Sequence, residues 1–230
     1  MTLNERIEQV KKIPSLGIGG LAVYNELIKY SQLAGDGESI IDIGSWLGST
    51  VGFLLAGLEQ SGKDVQIHSY DRWIADAVFK KRAEDYHGIS FELDQNILPT
   101  MMYNLSMFKT DKVIPHQGKF KDSGYDSERR IALVVDDICT YKTMTDHMFD
   151  IFEKQFIPTR TIVMMLDYFW FETRPEPLRK YQKECMKLNS NAGIFDYVGR
   201  PKGSMCSIWR YMGGKILRAP DKPEYHAEYY

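Results

Sequence analysis

The sequence predicts an α/β three-layer sandwich in which a mostly parallel sheet of seven strands ends in a C-terminal antiparallel hairpin. Three observations predict it. Short apolar runs ending in acidic or glycine-rich turns alternate with longer segments of helical spacing, a β-α-β-α rhythm. The runs in "RRIALVVDD" and "TRTIVMMLDY" are nearly continuous Ile, Val, Leu and Met, which suits strands covered on both faces. Finally, "GIFDYVG" and "SMCSIWRYM" are joined only by "RPKG", which is hairpin spacing.

Taken in order, the first strand is expected over Glu38–Asp42, opening into a Gly44–Gly48 loop. The following "STVGFLLAGLEQSG" reads as a helix with Ser49 or Thr50 as N-cap and Gly62 as its stop. A second strand, "VQIHSYD", ends at Asp71. Between there and the next strand lies Arg72–Asp111, with helical stretches around Ala75–Tyr86 and Gln95–Phe108; it is too long for a simple crossover and reads as a lid. The third strand is "KVIPH", the fourth "RRIALVVDD" and the fifth "TRTIVMMLDY", with helices around Thr143–Phe156 and Pro175–Leu188. The organisation is therefore an N-terminal helical segment (1–37), a sheet domain (38–212) carrying the 72–111 insertion, and a tail (213–230). The spacing of "SLGIGGLAVYNELIKYSQL" suits a helix flanking the mouth of the sheet, and with the tail it suggests a homodimer contact.

Composition narrows the function classes. With 230 residues, 43% of them hydrophobic, the chain can bury one substantial core. A net charge of −2, from 29 basic and 31 acidic residues, gives no general pull toward nucleic acid or an anionic membrane, so a small-molecule partner is expected. Cys139, Cys185 and Cys206 are widely spaced and odd in number, which fits a reducing cytoplasm rather than a disulfide framework or a zinc site. The opening "MTLNERIEQVKK" is charged, and no apolar run reaches the ~18–20 residues of a membrane span.

In an open parallel sheet, ligands sit beyond the carboxyl ends of the strands, and the first strand-to-helix loop usually touches them. That loop is "IIDIGSWLGST", which lacks GxGxxG and carries Trp46 between Gly44 and Gly48. Asp42, Gly44 and Gly48 resemble the acid-plus-glycine loop of class I S-adenosylmethionine-dependent methyltransferases, which have a Rossmann-like fold, with Trp46 replacing the central glycine. Asp71 falls where those enzymes carry the carboxylate that accepts both ribose hydroxyls. The chemistry is sound: a vicinal diol offers two donors, a carboxylate two acceptors, and glycines let the backbone approach. Dinucleotide-binding sheets also carry an acid ~20 residues beyond the loop. Asp71 alone therefore leaves a nucleotide-dependent oxidoreductase open, as well as a structural turn with Asp71 capping the next helix.

Four further pieces, in order, resemble the macrocin O-methyltransferase family, whose members methylate sugar hydroxyls on glycosides: "HQGKFKD", "IALVVDDICTYKTM", "IVMMLDYFWFETRPEPLRKYQKE" and the final hairpin. The resemblance spans roughly Glu38–Met212. It implies an S-adenosylmethionine site built from Asp42, Gly44, Ser45, Trp46, Gly48, Ser49, Asp71, Gly118 and Asp136. It also implies methyl transfer to a hydroxyl of a small polar acceptor, with Asp137, Asp167 and Tyr141 as catalytic residues. The family carries a metal-binding aspartate after the fourth strand and an Asp-Asp pair after the fifth. Here the pair is reduced to Leu166-Asp167, and Asp137 is followed by Ile138-Cys139. Asp137 and Asp167 are then the two carboxylates left for Mg2+, and water or substrate would supply the other ligands. These departures also leave room for a catalytically inactive module on the same scaffold.

In-line displacement at a sulfonium needs the acceptor oxygen about 3 Å behind the methyl carbon and a group to take its proton. Asp137 is the expected base, with helix capping as its structural alternative; for Asp167 the alternative is strand termination. His116 is expected to pack or bond backbone and His147 to take a surface or satisfied position, and Tyr141, Lys142 and Arg174 are candidates for orienting the acceptor. The run Tyr168–Phe171 could wall a sugar ring or belong to the core. Trp46 is expected to pack into the fold rather than wall the cofactor, with its indole N–H seeking a partner.

Overall fold

The computed structural model describes residues 1–15, 20–138, 141–172 and 180–225. Its seven strands are β1 (Ser39–Ile43), β2 (Gln66–Asp71), β3 (Val113–Gln117), β4 (Ile131–Asp136), β5 (Ile162–Met165), β6 (Phe195–Gly199) and β7 (Ser207–Tyr211), in the spatial order β3-β2-β1-β4-β5-β7-β6. Neighbours among β1–β5 pair in parallel, and β7 runs antiparallel between β5 and β6. The expected sheet and closing hairpin are present. The strands are shorter than their apolar runs: β5 keeps only Ile162–Met165 of the ten residues in "TRTIVMMLDY". The residues before it form a turn in which Thr159 is left-handed at φ 64°.

Side-chain alternation along the strands divides the core into two layers. Ile40, Leu133, Val135 and Met164 face one layer; Ile41, Ile43, Val134 and Met165 face the other. The first layer is filled from α1 (Leu3–Val10), α2 (Leu21–Leu33), α3 (Ser49–Ser61) and α5 (Leu98–Asn104). The second is filled from α6 (Lys142–Phe152) and α7 (Lys180–Asn191). Of the expected Pro175–Leu188 helix, the residues from Lys180 on lie in α7, and 175–179 lie outside the described residues. No helix among the described residues is long and apolar enough to cross a membrane.

Helix α3 is buried from Ser49 to Leu58. A helix apolar on every side must be enclosed, and its glycines let the neighbours close in. A Cβ on Gly57 would stand 2.7 Å from the Ile28 carbonyl oxygen of α2, and Tyr24 stacks on Phe53 with ring centroids 3.9 Å apart. At the other end, a Cβ on Gly52 would meet Val10 at 2.9 Å.

The 72–111 segment contributes α4 (Ala77–His87) and α5, and it is rooted in the first layer rather than laid over it. Trp73, Ala75, Ile97, Met101 and Leu105 are fully buried there.

The close approach at Gly57 gives a direct test. Gly57→Ala is expected to lower stability by about 1–3 kcal/mol through overpacking against α2, read as a reduced midpoint in urea with an unchanged m-value. Gly62→Ala, where no atom lies within 4 Å of the added Cβ but φ is +68°, separates backbone strain from crowding.

Candidate functional site

The candidate site lies where β1, β2, β3 and β4 end together. The hydrogen-bond ladder continues one step past each strand: Gly44 N–H donates to Tyr70 O (2.8 Å), Gly118 N–H to Asp71 O (3.0 Å), Asp137 N–H to Ile43 O (3.0 Å) and Leu166 N–H to Asp136 O (2.8 Å). Loops therefore leave the sheet side by side, as a ligand crevice requires.

The glycine loop is a run of left-handed turns. Gly44 has φ 90°, Trp46 φ 46° and Gly48 φ 94°. Gly44 is packed tightly on β4's exit: a Cβ there would lie 2.7 Å from Ile138 Cγ2 and 3.2 Å from Asp137 Cβ. Gly48, not Ser49 or Thr50, is the N-cap of α3, and no side chain caps it. A left-handed cap position favours glycine over serine or threonine, which is why the expected hydroxyl cap is displaced by one residue.

Asp42, on the first-layer face of β1, is 1% exposed. It accepts from the Ser45 hydroxyl, and from Ser69 Oγ at 3.2 Å. Burial pushes its pKa up to about 7, against the pull of the two serine hydroxyls. Ser69 was not anticipated; lying two residues before Asp71, it shares that residue's face of β2 by strand alternation.

Asp71 stands at the end of β2 with both oxygens engaged by backbone. Oδ2 accepts from Trp46 N–H (2.9 Å) and Oδ1 from Trp73 N–H (2.8 Å). Burial raises its pKa, and the amides of Trp73 and Trp46 oppose that shift. Each carboxylate oxygen has two acceptor positions, so Asp71 retains capacity for the two hydroxyls of a vicinal diol. The residues fit a nucleoside in this respect.

At the end of β4 the two adjacent carboxylates diverge. Asp136 is 2% exposed, accepting from Gln182 Nε2 of α7 (2.7 Å) and from Ile138 N–H (3.1 Å). Its side chain thus faces the second layer, opposite Asp42. Asp137 faces the glycine loop, and its pKa is raised well above the ordinary value by burial first and then by Asp167, Asp136, Asp42 and Asp71. Asp167 is thus an electrostatic neighbour of Asp137. Among the described residues no group of three or more His, Cys, Asp or Glu side chains stands ready to hold a metal. Mg2+ usually keeps several waters and is held by one or two carboxylates, so Asp137 and Asp167 would be the protein's ligands to it.

The other described candidates have contacts of their own. Tyr141 is the N-cap residue of α6, where its carbonyl accepts from Thr145 N–H (2.8 Å). Lys142 pairs with Asp146 at 2.5 Å and lies over the Tyr181 ring. His147 is satisfied by Ser123 O (3.0 Å), and His116 bonds His68 across β2 and β3 (3.0 Å) and stacks on Tyr70. Tyr168 is buried against Trp209, and Phe169 lies beneath Arg200. Arg174 and Cys139 lie outside the described residues. Trp46 packs against Phe79 and His87 of α4, with ring centroids 5.4 Å away in each case; its indole N–H has no partner among the described residues.

The fold matches proteins of known structure. The fold is that of the class I methyltransferases. The O-methyltransferase NovP superimposes with a TM-score of 0.59 at 13% identity, over 84% of this chain and 81% of that one. The SAH-bound Podospora anserina methyltransferase PaMTH1 does so at 0.50 and 14%, over 91% and 87%. A protein described as an rRNA methylase, from Clostridium thermocellum, gives 0.51 and 12%, over 82% and 95%. No protein-family model matches the sequence, and no curated protein does.

The raised pKa of Asp42 makes a signed prediction. Below its unfolded value, near 3.8, its contribution is fully present; it is lost as pH rises toward about 7, because the native state holds that proton more tightly. Asp42→Asn cannot lose a proton. The difference in thermal midpoint, variant minus wild type, should therefore rise between pH 5 and pH 8; a flat difference would count against a buried, proton-holding Asp42.

Proposed function

We propose that the protein is an S-adenosylmethionine-dependent methyltransferase acting on a hydroxyl of a small polar acceptor, a sugar or glycoside being the best match. The observation that carries this reading is Asp71, placed beside the left-handed Gly44–Gly48 loop in a class I methyltransferase fold. The cofactor supplies an electrophilic methyl group on sulfur. Asp71 would accept the ribose hydroxyls, and the loop backbone would lie along the nucleoside because Gly44 and Gly48 present no Cβ.

Asp137 is assigned as the proton acceptor. A carboxyl whose pKa is raised toward the working pH is a stronger base once ionised, and Asp137 is raised by burial and by four surrounding carboxyls. Asp167 acts on that basicity through its charge. The same acidic surroundings favour a neutral acceptor over a phosphate-bearing one, and the net charge of −2 adds no attraction for an RNA backbone.

A dinucleotide-dependent oxidoreductase is the less supported reading. Sheets of that class run parallel in the order 3-2-1-4-5-6, whereas here antiparallel β7 separates β5 from β6.

Calorimetric titration with S-adenosylhomocysteine tests the donor. Micromolar binding is expected in wild type and loss of it in Asp71→Ala; absence of binding to wild type would end the methyltransferase reading. Asp137→Asn should keep that affinity within a few-fold while turnover on a panel of glycosides falls by roughly 100-fold or more, the scale of a lost general base. Turnover unaffected by the substitution would remove Asp137 from the chemistry, and turnover lost on adding EDTA would reopen the metal question.

A further inference from the structure

Residue 46 is the point in the glycine loop that most needs explaining. Trp46 is left-handed at φ 46°, a conformation glycine adopts freely and residues with a Cβ rarely do. Its packing on Phe79 and His87 accounts for where the indole goes. That packing does not account for how the backbone is held.

Both halves of the loop's peptide geometry are engaged from outside the loop. Trp46 N–H donates to Asp71, and Trp46 O accepts from the indole Nε1 of Trp73 at 3.1 Å. The next carbonyl, Leu47 O, accepts from Asn104 Nδ2 of α5 at 3.0 Å. The two side-chain donors lie at opposite ends of the 72–111 segment.

Each donor is itself firmly placed. Trp73 is fully buried and also left-handed, at φ 45°; its amide is on Asp71, and its carbonyl accepts from Ile97 N–H at 2.9 Å. Asn104 ends α5, and Met101 of that helix and Leu105 just after it pack at 3.2 Å and 3.4 Å from where a Cβ on Gly48 would stand.

We propose that Trp73 and Asn104 are positioning residues, which by donating to two consecutive carbonyls hold the cofactor loop in the left-handed course that glycine would otherwise supply at position 46. The 72–111 segment then sets the affinity of the nucleoside site, in addition to any covering role. This rests on the methyltransferase reading of that site.

The test is a cycle on the full-length protein, with S-adenosylhomocysteine as the calorimetric probe. Trp73→Phe keeps a ring in the core and removes the N–H. It should weaken binding by about tenfold, the scale of one orphaned carbonyl. In a Trp46→Gly background the same substitution should cost less than about twofold, because glycine needs no help to stay left-handed. Equal losses in the two backgrounds, or none in either, would overturn the proposal, since a packing role would not depend on residue 46. Asn104→Leu run through the same cycle serves if Trp73→Phe does not fold. Amide exchange at Trp46, Leu47 and Gly48 is read in parallel without ligand. Faster exchange in Trp73→Phe supports the strut, and unchanged protection overturns it. Wild-type protein that binds no S-adenosylhomocysteine would instead overturn the donor reading, and the exchange result would then decide the strut alone.

Discussion

One carboxylate holds two left-handed turns. Asp71 accepts from Trp46 and from Trp73, and both residues have positive φ despite bulky side chains. Placing an acid in this half-buried position disfavours its charge, and the two amides oppose that penalty. The exits of β1 and β2 are thereby tied together, and so is the start of the segment leading to α4 and α5. The tight packing of Gly44 on Asp137 and Ile138 depends on the loop staying in that course.

Several carboxylates converge on this mouth, and their partners divide the labour among them. Asp42 is satisfied by serine hydroxyls from its own loop and from β2, and Asp136 by Gln182 and a backbone amide. Asp71 carries the two turns. Asp137 differs, in that burial and the surrounding carboxylates hold its pKa well above the ordinary range. A fold can accommodate such a group only at a cost in stability, and costs of that kind collect at functional sites. That asymmetry is what recommends Asp137 for the proposed role of proton acceptor.

The fold was largely legible because its signals are local: apolar runs, terminal acids, and a hairpin too short to be anything else. Strand ends were not, since a run such as "TRTIVMMLDY" remains apolar after the chain has stopped pairing with its neighbours. The geometry of the candidate site was legible where one residue sufficed: Asp71 does end β2, and Gly44 and Gly48 do turn left-handed. It was opaque where a role depends on distant partners. Nothing near Trp46 in sequence shows that Trp73 and Asn104 donate to its loop. Ser69 was within reach of the alternation rule, while Gln182 lies 46 residues from the carboxylate it bonds. The capping signal failed for a different reason: Ser49 and Thr50 are good caps in isolation, but the loop enters α3 left-handed, and only Gly48 takes that conformation without strain.

The central claim is that Asp71 joins the loop to the nucleoside, and a crystal structure of the complex with S-adenosylhomocysteine tests it most directly. The account predicts both ribose hydroxyls within hydrogen-bonding distance of the Asp71 carboxylate while Trp46 N–H remains on the same group. A nucleoside bound elsewhere, or an Asp71 that has released Trp46 to reach it, would contradict the account.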